Sequence, residues 1–282
     1  MTLTDASRQP PFDHAFETFE AWRAFFGART FLCHADWTAL QADRIQKTGF
    51  REPLTDRVAR AGDVLVEHNN YRETIVFEGL NARHRASLKA LADCLGGLKA
   101  GLVQLYLAEA VTPLAKRLKK IFPKLQTSEY DPDGALWSQR VRHEDIQHLS
   151  FKDSAFDVVM TNDVLEHIPD LDRALRETRR VVKPGGWHIS THPFRFMSEA
   201  SEVRARLVDG AVDHILEPEY HGDPVNPEGG VLVFETPGWD ILDRLKAAGF
   251  DQAYMRFICD PKAGVLSDVG GVFVTIARAP TL

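Results

Sequence analysis

Between Glu144 and Phe194 the chain alternates short apolar runs with one amphipathic stretch, and polar residues stand where each run ends. Phe156-Asp157-Val158-Val159-Met160 has the length and content of a buried strand, closed by Thr161-Asn162-Asp163. Leu171, Ala174, Leu175, Thr178, Val181 and Val182 recur at three- and four-residue spacing, which predicts a helix capped by Asp170 or Asp172. Pro184-Gly185-Gly186 is expected to stop that helix, and Trp187-His188-Ile189-Ser190 to open the next strand. Strand, helix and strand of these lengths predict a right-handed crossover in a parallel sheet.

Upstream, Leu102–Leu107 predicts a strand, with Thr112 as the cap and Pro113 as the first residue of the helix that follows. Leu125–Ser128 predicts the next strand. Near the start, Phe12, Phe16, Phe19, Trp22, Phe25 and Phe26 keep helical spacing, either to dock on a core or to wall a substrate. Phe31–Cys33, Asp63–Val66 and Glu73–Gly79 read as strands, and Asn81 opens a helix that Gly96-Gly97 ends. Downstream, residues 195–237 read as an insertion, with a helix around Ala200–Val208 and a turn-rich run Glu217–Pro224. A helix over Trp239–Ala248, stopped by Gly249-Phe250, and strands at Ala253–Ile258 and Val272–Ala277 complete the pattern.

Composition narrows the class. The 282 residues are 44% hydrophobic and 26% charged, as in globular proteins. A net charge of -6 leaves no basic excess for nucleic acid or a membrane surface. Cys33, Cys94 and Cys259 are dispersed and odd in number, which speaks for reduced thiols in a cytoplasmic protein and against a disulfide framework or zinc knuckle. No run of eighteen apolar residues occurs.

The stretch Asp157–Thr191, with its acidic-apolar strand, Leu165-Glu166-His167 turn, leucine-spaced helix and Lys183-Pro184-Gly185-Gly186, resembles the second half of a class I S-adenosylmethionine (SAM)-dependent methyltransferase domain. The resemblance extends over about Gly101–Arg278. It implies an α/β fold: a doubly wound, seven-stranded, mostly parallel sheet over 101–282, preceded by a helical and hairpin extension over 1–100. That family usually carries a Gly-x-Gly-x-Gly loop after the first strand. Here Ala108, Ala110 and Thr112 stand at the glycine positions, and Tyr106 replaces the usual acid at the strand end.

The resemblance also names a site, with SAM as cofactor. Tyr106, Ala108 and Glu109 border the altered loop, where Glu109 could hold an ammonium group. Glu129 follows the second strand about twenty residues on, at the spacing of a ribose-binding acid, and Tyr130 beside it could cover the adenine. Asp145 is the candidate for the adenine amino group, with Ile146 against the ring and Glu144 as the competing neighbour. Asn162 and Asp163 close the fourth strand, although Asp163 and Glu166 also have capping-box spacing. His192 is the first candidate base, with His167 and Asn162 as further catalytic candidates. Tyr71 and Arg72, in a polar run that Arg83 and Arg85 could join, and Tyr220, His221 and Asp223 are the expected cover over the acceptor. Similar extensions elsewhere carry hairpin cysteines; this chain has none there, so no metal is expected. The reaction implied is methyl transfer from SAM to a small-molecule acceptor. Cyclisation of SAM with release of methylthioadenosine, or a non-catalytic binding module, remain open beside it.

Overall fold

The computed structural model describes residues 9–67, 70–134, 136, 140–222 and 229–281. Its main elements are β1 (Phe12–Phe16), α1 (Phe19–Gly27), α2 (Ala35–Thr48), α3 (Ala82–Leu95), β2 (Leu105–Leu107), α4 (Pro113–Lys119) and β3 (Leu125–Thr127). They continue with β4 (Phe156–Asn162), α5 (Leu171–Val181), β5 (Val182–Thr191), α6 (Ile241–Ala247), β6 (Gln252–Cys259) and β7 (Val272–Arg278). The hydrogen-bonded order is β1-β6-β7-β5-β4-β2-β3. The expected seven-stranded α/β sheet is therefore present. β3, β2, β4 and β5 run parallel to one another, β7 is antiparallel to β5, and β1 is antiparallel to β6.

Two compact units divide the chain: residues 1–97 with 254–274, and residues 98–253 with 275–282. Residues 254–274 thus go with the first unit. The reason lies in β1. Phe12–Phe16 is an antiparallel partner of Met255–Cys259, so the closing strands and the N-terminal segment share a core.

In the first unit, Trp22 on α1 is fully buried against Phe16, Phe257 and Phe273, with ring centroids 4.9–5.4 Å apart. The aromatic run is a packed core, and its first five residues are strand rather than helix. Phe31–Cys33 is likewise corrected, from strand to a 3-10 turn over Thr30–Cys33. Of the two hairpin strands only Leu65–Val66 and Ile75–Val76 pair, because Tyr71–Thr74 forms a helical turn. α3 begins as expected: the Asn81 side chain accepts from the His84 amide and His84 returns a bond to the Asn81 amide.

Arg85 is fully buried, and its guanidinium donates to Gly264 O at 2.7 and 2.9 Å, to Leu80 O at 2.8 Å and to Ile75 O at 2.7 Å. Burial lowers its pKa to about 9, which leaves it charged at neutral pH. A side chain at Gly264, where φ is +68°, would stand 2.7 Å from Arg85 Nε, so glycine is needed for this close approach. Arg83 is paired with Glu73. Both arginines are thus committed to partners within the first unit.

In the second unit, α5 opens with Asp170 accepting from the Arg173 amide at 2.9 Å and ends at Val181. Lys183-Pro184-Gly185-Gly186 does not stop the helix; it lies inside β5, where the pairing register shifts between Phe156 and Val158. Arg180, held by Glu177 on the same helix, fastens α5 to the preceding loop through Asp153 and the carbonyls of Leu149 and Phe151. The helix expected over Ala200–Val208 is strand: Glu202–Val203 pairs with Glu235–Thr236, and Ala205–Val208 with Ala211–His214. Tyr220–His221 pairs with Val231–Leu232.

Candidate functional site

Parallel strands bring their carboxyl ends to one edge, and in the second unit that edge carries the candidate residues. β2 ends at Leu107 and leads into Ala108-Glu109-Ala110; the Ala108 amide donates to Met160 O at 3.0 Å, continuing the ladder for one residue. Thr112 accepts from the Ala115 amide at 3.1 Å and Pro113 takes the first helical position, so strand, loop and helix survive the loss of the glycines.

Glu109 is buried, and its Oε1 accepts from Asn162 Nδ2 at 2.8 Å. Thr191 at the end of β5 donates through its hydroxyl towards Asn162 Oδ1 at 3.4 Å and Asp163 Oδ1 at 3.3 Å. Asp163 adopts φ +50° and its amide donates to Thr191 O at 2.8 Å. It caps nothing: the turn at Leu165–His167 has Val164 before it and no side-chain cap. Glu109, Asn162, Asp163 and Thr191 therefore form one polar cluster joining β2, β4 and β5.

Glu129 is half-buried beyond β3. Its Oε1 accepts from the Ala110 amide at 2.6 Å and the Val111 amide at 3.1 Å. The carboxylate proposed for ribose thus holds the altered loop. Beside it runs residue 143, through a single parallel bridge from Glu129 to His143. Tyr130 is 64% exposed with its ring 5.6 Å from that of His143. Asp145 is half-buried and accepts from the Gln147 amide at 2.9 Å, while Ile146 is buried. Glu144 is held by the Ser150 amide, the Ser150 hydroxyl and Arg142. That is a structural load, and it leaves Asp145 as the better ligand-binding candidate of the two.

Several candidates are corrected. Tyr106 is 1% exposed, packs against Phe151 and Phe156 and bonds the Ser128 hydroxyl at 2.7 Å, so it belongs to the core and not to a cofactor surface. Burial pushes its phenol pKa up. His192 is also buried, with Nε2 3.1 Å from Thr275 Oγ1 and Nδ1 3.1 Å from Pro193 O. The carbonyl requires a proton on Nδ1, and Nε2 then accepts from the threonine, which leaves no lone pair for an acceptor's proton. His167 has Nδ1 2.9 Å from Leu232 O and Nε2 3.7 Å from Glu166 Oε1. It is not arranged as a base at the strand ends. Tyr71 is buried in the first unit, its pKa raised by burial and by Asp268, and Arg72 pairs with Glu73. Tyr220 is exposed, His221 turns towards Glu166, and Asp223 lies outside the described residues.

Sequence reasoning missed Thr191 and Thr275, whose roles depend on strand neighbours far away in the chain. It also read Glu166 as a cap, whereas the side chain is fully buried with neither oxygen hydrogen-bonded. The Glu166 carboxylate, followed by Glu219, holds His221 above the usual imidazole pKa. Among the described residues no helix is long and apolar enough to cross a membrane.

Residues 99–190 match the family described as a methyltransferase domain. A demethylmenaquinone methyltransferase of Streptomyces avermitilis is 31% identical over 124 residues, 40% of this chain and 49% of that protein. A probable S-adenosylmethionine-dependent methyltransferase of Mycolicibacterium smegmatis is 25% identical over 172 residues, 58% of this chain and 60% of the relative. The chain spans less than two thirds of the length of either. A solved S-adenosylmethionine-dependent methyltransferase from Mesorhizobium loti aligns at 14% identity over 68% of this chain and 97% of its own, with a TM-score of 0.46. The match to the methyltransferase-domain family lies on the parallel block β2 to β5, so that block is similar to the methyltransferases named above.

Proposed function

We propose that the chain is a SAM-dependent enzyme that transfers a methyl group to a small-molecule acceptor. The observation that carries this reading is the row of acids and amides at the carboxyl edge of β2, β3 and β4, within the residues that match the methyltransferase family. When bound, SAM supplies an electrophilic methyl group on a sulfonium.

The chain's own residues supply position. Glu129, with a carboxylate acceptor at the end of β3, suits a ribose diol. Asp145 suits an exocyclic amine, and Ile146 offers an apolar surface beside it. Glu109, a buried carboxyl group at the loop, suits the ammonium of the amino-acid arm, with Asn162 fixing its orientation. A small hydrogen-bonded donor set of this kind works by alignment rather than by acid–base chemistry. With His192 held by two hydrogen bonds, it is not a prepared base, so the reading favours an acceptor that needs no strong deprotonation. Relatives named for quinone and sterol methylation are consistent with a small acceptor.

One observation favours a second reading. The Ala110 and Val111 amides already occupy Glu129, and alanines replace the glycines, so the loop can be closed against the cofactor. The test is calorimetry with SAM and with S-adenosylhomocysteine, followed by mass spectrometry of the nucleoside formed. Binding with S-adenosylhomocysteine as the product, once an acceptor is supplied, supports methyl transfer. Methylthioadenosine from SAM alone replaces it by cyclisation. Failure to bind either nucleoside leaves a non-catalytic module.

A further inference from the structure

Glu166, His167 and His221 offer one donor atom each within 4.8 Å of one another, outside the cluster that joins Glu109 and Asn162. Glu166 is completely buried, and both of its carboxylate oxygens lack a hydrogen-bond partner. A buried, unsatisfied carboxylate is costly, by several kcal/mol in typical proteins, so something must compensate it. The two imidazoles stand 3.7 and 3.8 Å from its Oε1. Those separations are too long for hydrogen bonds, which close to roughly 2.7–3.2 Å. They are near the ligand-to-ligand spacing of a tetrahedral zinc site, about 3.4 Å for bonds of 2.0–2.1 Å.

The outer contacts point the same way. His167 Nδ1 lies 2.9 Å from Leu232 O, and a carbonyl there fixes the proton on Nδ1 and turns the Nε2 lone pair towards Glu166. His221 Nε2 lies 3.2 Å from Glu219 Oε1, which fixes the proton on Nε2 and turns the Nδ1 lone pair towards Glu166. Each histidine thus donates its second nitrogen to a carbonyl or carboxylate, as metal-ligating histidines do. An ion pair alone needs neither lone pair, and it would draw a ring nitrogen into hydrogen-bond distance.

We infer that Glu166, His167 and His221 form a three-ligand site for a divalent transition-metal ion, zinc first, which ties the hairpin Tyr220–His221/Val231–Leu232 to the turn after β4. Two imidazoles and one carboxylate suit zinc, and three protein ligands leave a fourth position for water or another oxygen donor. The His221 side chain is 29% exposed and that of Glu166 is not, so the fourth position is reached from the hairpin side. The absence of cysteines from the N-terminal hairpin had argued for no metal, but this donor set lies elsewhere in the chain and needs none.

The site stands or falls independently of the reaction, because metal content is read without SAM. The full-length, untagged chain is titrated with Zn2+ by calorimetry, and a Co2+ derivative is examined by visible absorption. We expect about one equivalent per chain and the strong absorption of a four-coordinate cobalt site. Glu166→Gln and His221→Ala should each lower Zn2+ affinity by at least about a hundredfold, and Glu219→Ala by about tenfold through the outer contact. His221 sits on a partly exposed hairpin, so its variant still decides the question if Glu166→Gln fails to fold. No uptake at micromolar Zn2+, or equal uptake by wild type and His221→Ala, would overturn the proposal.

Discussion

Glu129 shows why a single residue at this site must be tested by two substitutions. Its Oε1 takes both the Ala110 and the Val111 amides, so Glu129→Ala removes a loop anchor along with any ribose contact. Glu129→Gln keeps an oxygen acceptor for those amides and removes only the charge. If the carboxylate binds the ribose, Glu129→Ala should weaken SAM binding by roughly 1.5–3 kcal/mol, the range for hydrogen bonds to a charged group. Glu129→Gln should lose part of that while preserving the melting temperature. Calorimetry that finds all three proteins equal removes Glu129 from the site. His192 makes the converse point: its type and place suggest a base, and only its two hydrogen-bond partners show that it is structural.

At the level of elements, the loop Ala108–Thr112 carries the sharpest expectation. Ala110 is buried and its amide is spent on Glu129, so methyl groups there narrow the approach to the strand end. Restoring glycine at 108 and 110 should improve SAM affinity and methyl transfer if the alanines merely crowd the cofactor. Nucleoside binding that persists while turnover stops or changes product would mean that the alanine loop sets the reaction. Where elements were legible in the sequence, the signal was local. The strand–helix–strand crossover announced itself through β4, the leucine spacing and the Asp170 cap. The failures had non-local or competing causes. Phe12–Phe16 fits a helical stripe, and only pairing with Met255–Cys259 makes it a strand. Ala200–Val208 also missed a local signal: Asp209-Gly210, both with positive φ, is a two-residue hairpin turn, and Val203, Ala205 and Leu207 alternate with polar neighbours. The candidate acids at the strand ends were legible because they follow predicted strands. The Glu166 cluster was not, since His221 lies more than fifty residues further along the chain.

For the stability of the whole molecule, the decisive titration is that of His188 in the middle of β5. Its ring is fully buried, shares a hydrogen bond of 3.0 Å with Thr161 Oγ1 and stacks on Phe250. Burial, helped by the nearby His192, lowers its pKa from 6.5 to about 3. The folded chain therefore refuses a proton that the unfolded chain accepts, and the unfolded state binds more protons between those two values. Stability is fully present above the unfolded pKa and falls as the pH drops below it, continuing down to the folded value. At pH 5 the loss is about 2 kcal/mol, from a gap of roughly one and a half units at 1.36 kcal/mol each. Glu177, whose pKa is held below the carboxylate norm chiefly by Arg180, is still ionised there. The measurement is accordingly a difference. Urea unfolding of wild type and His188→Gln at pH 7.5 and pH 5.0 should show wild type losing about 2 kcal/mol more than the variant over that interval. Parallel losses in the two proteins would mean that His188 is protonated in the folded chain, and that the Thr161 hydroxyl accepts from it.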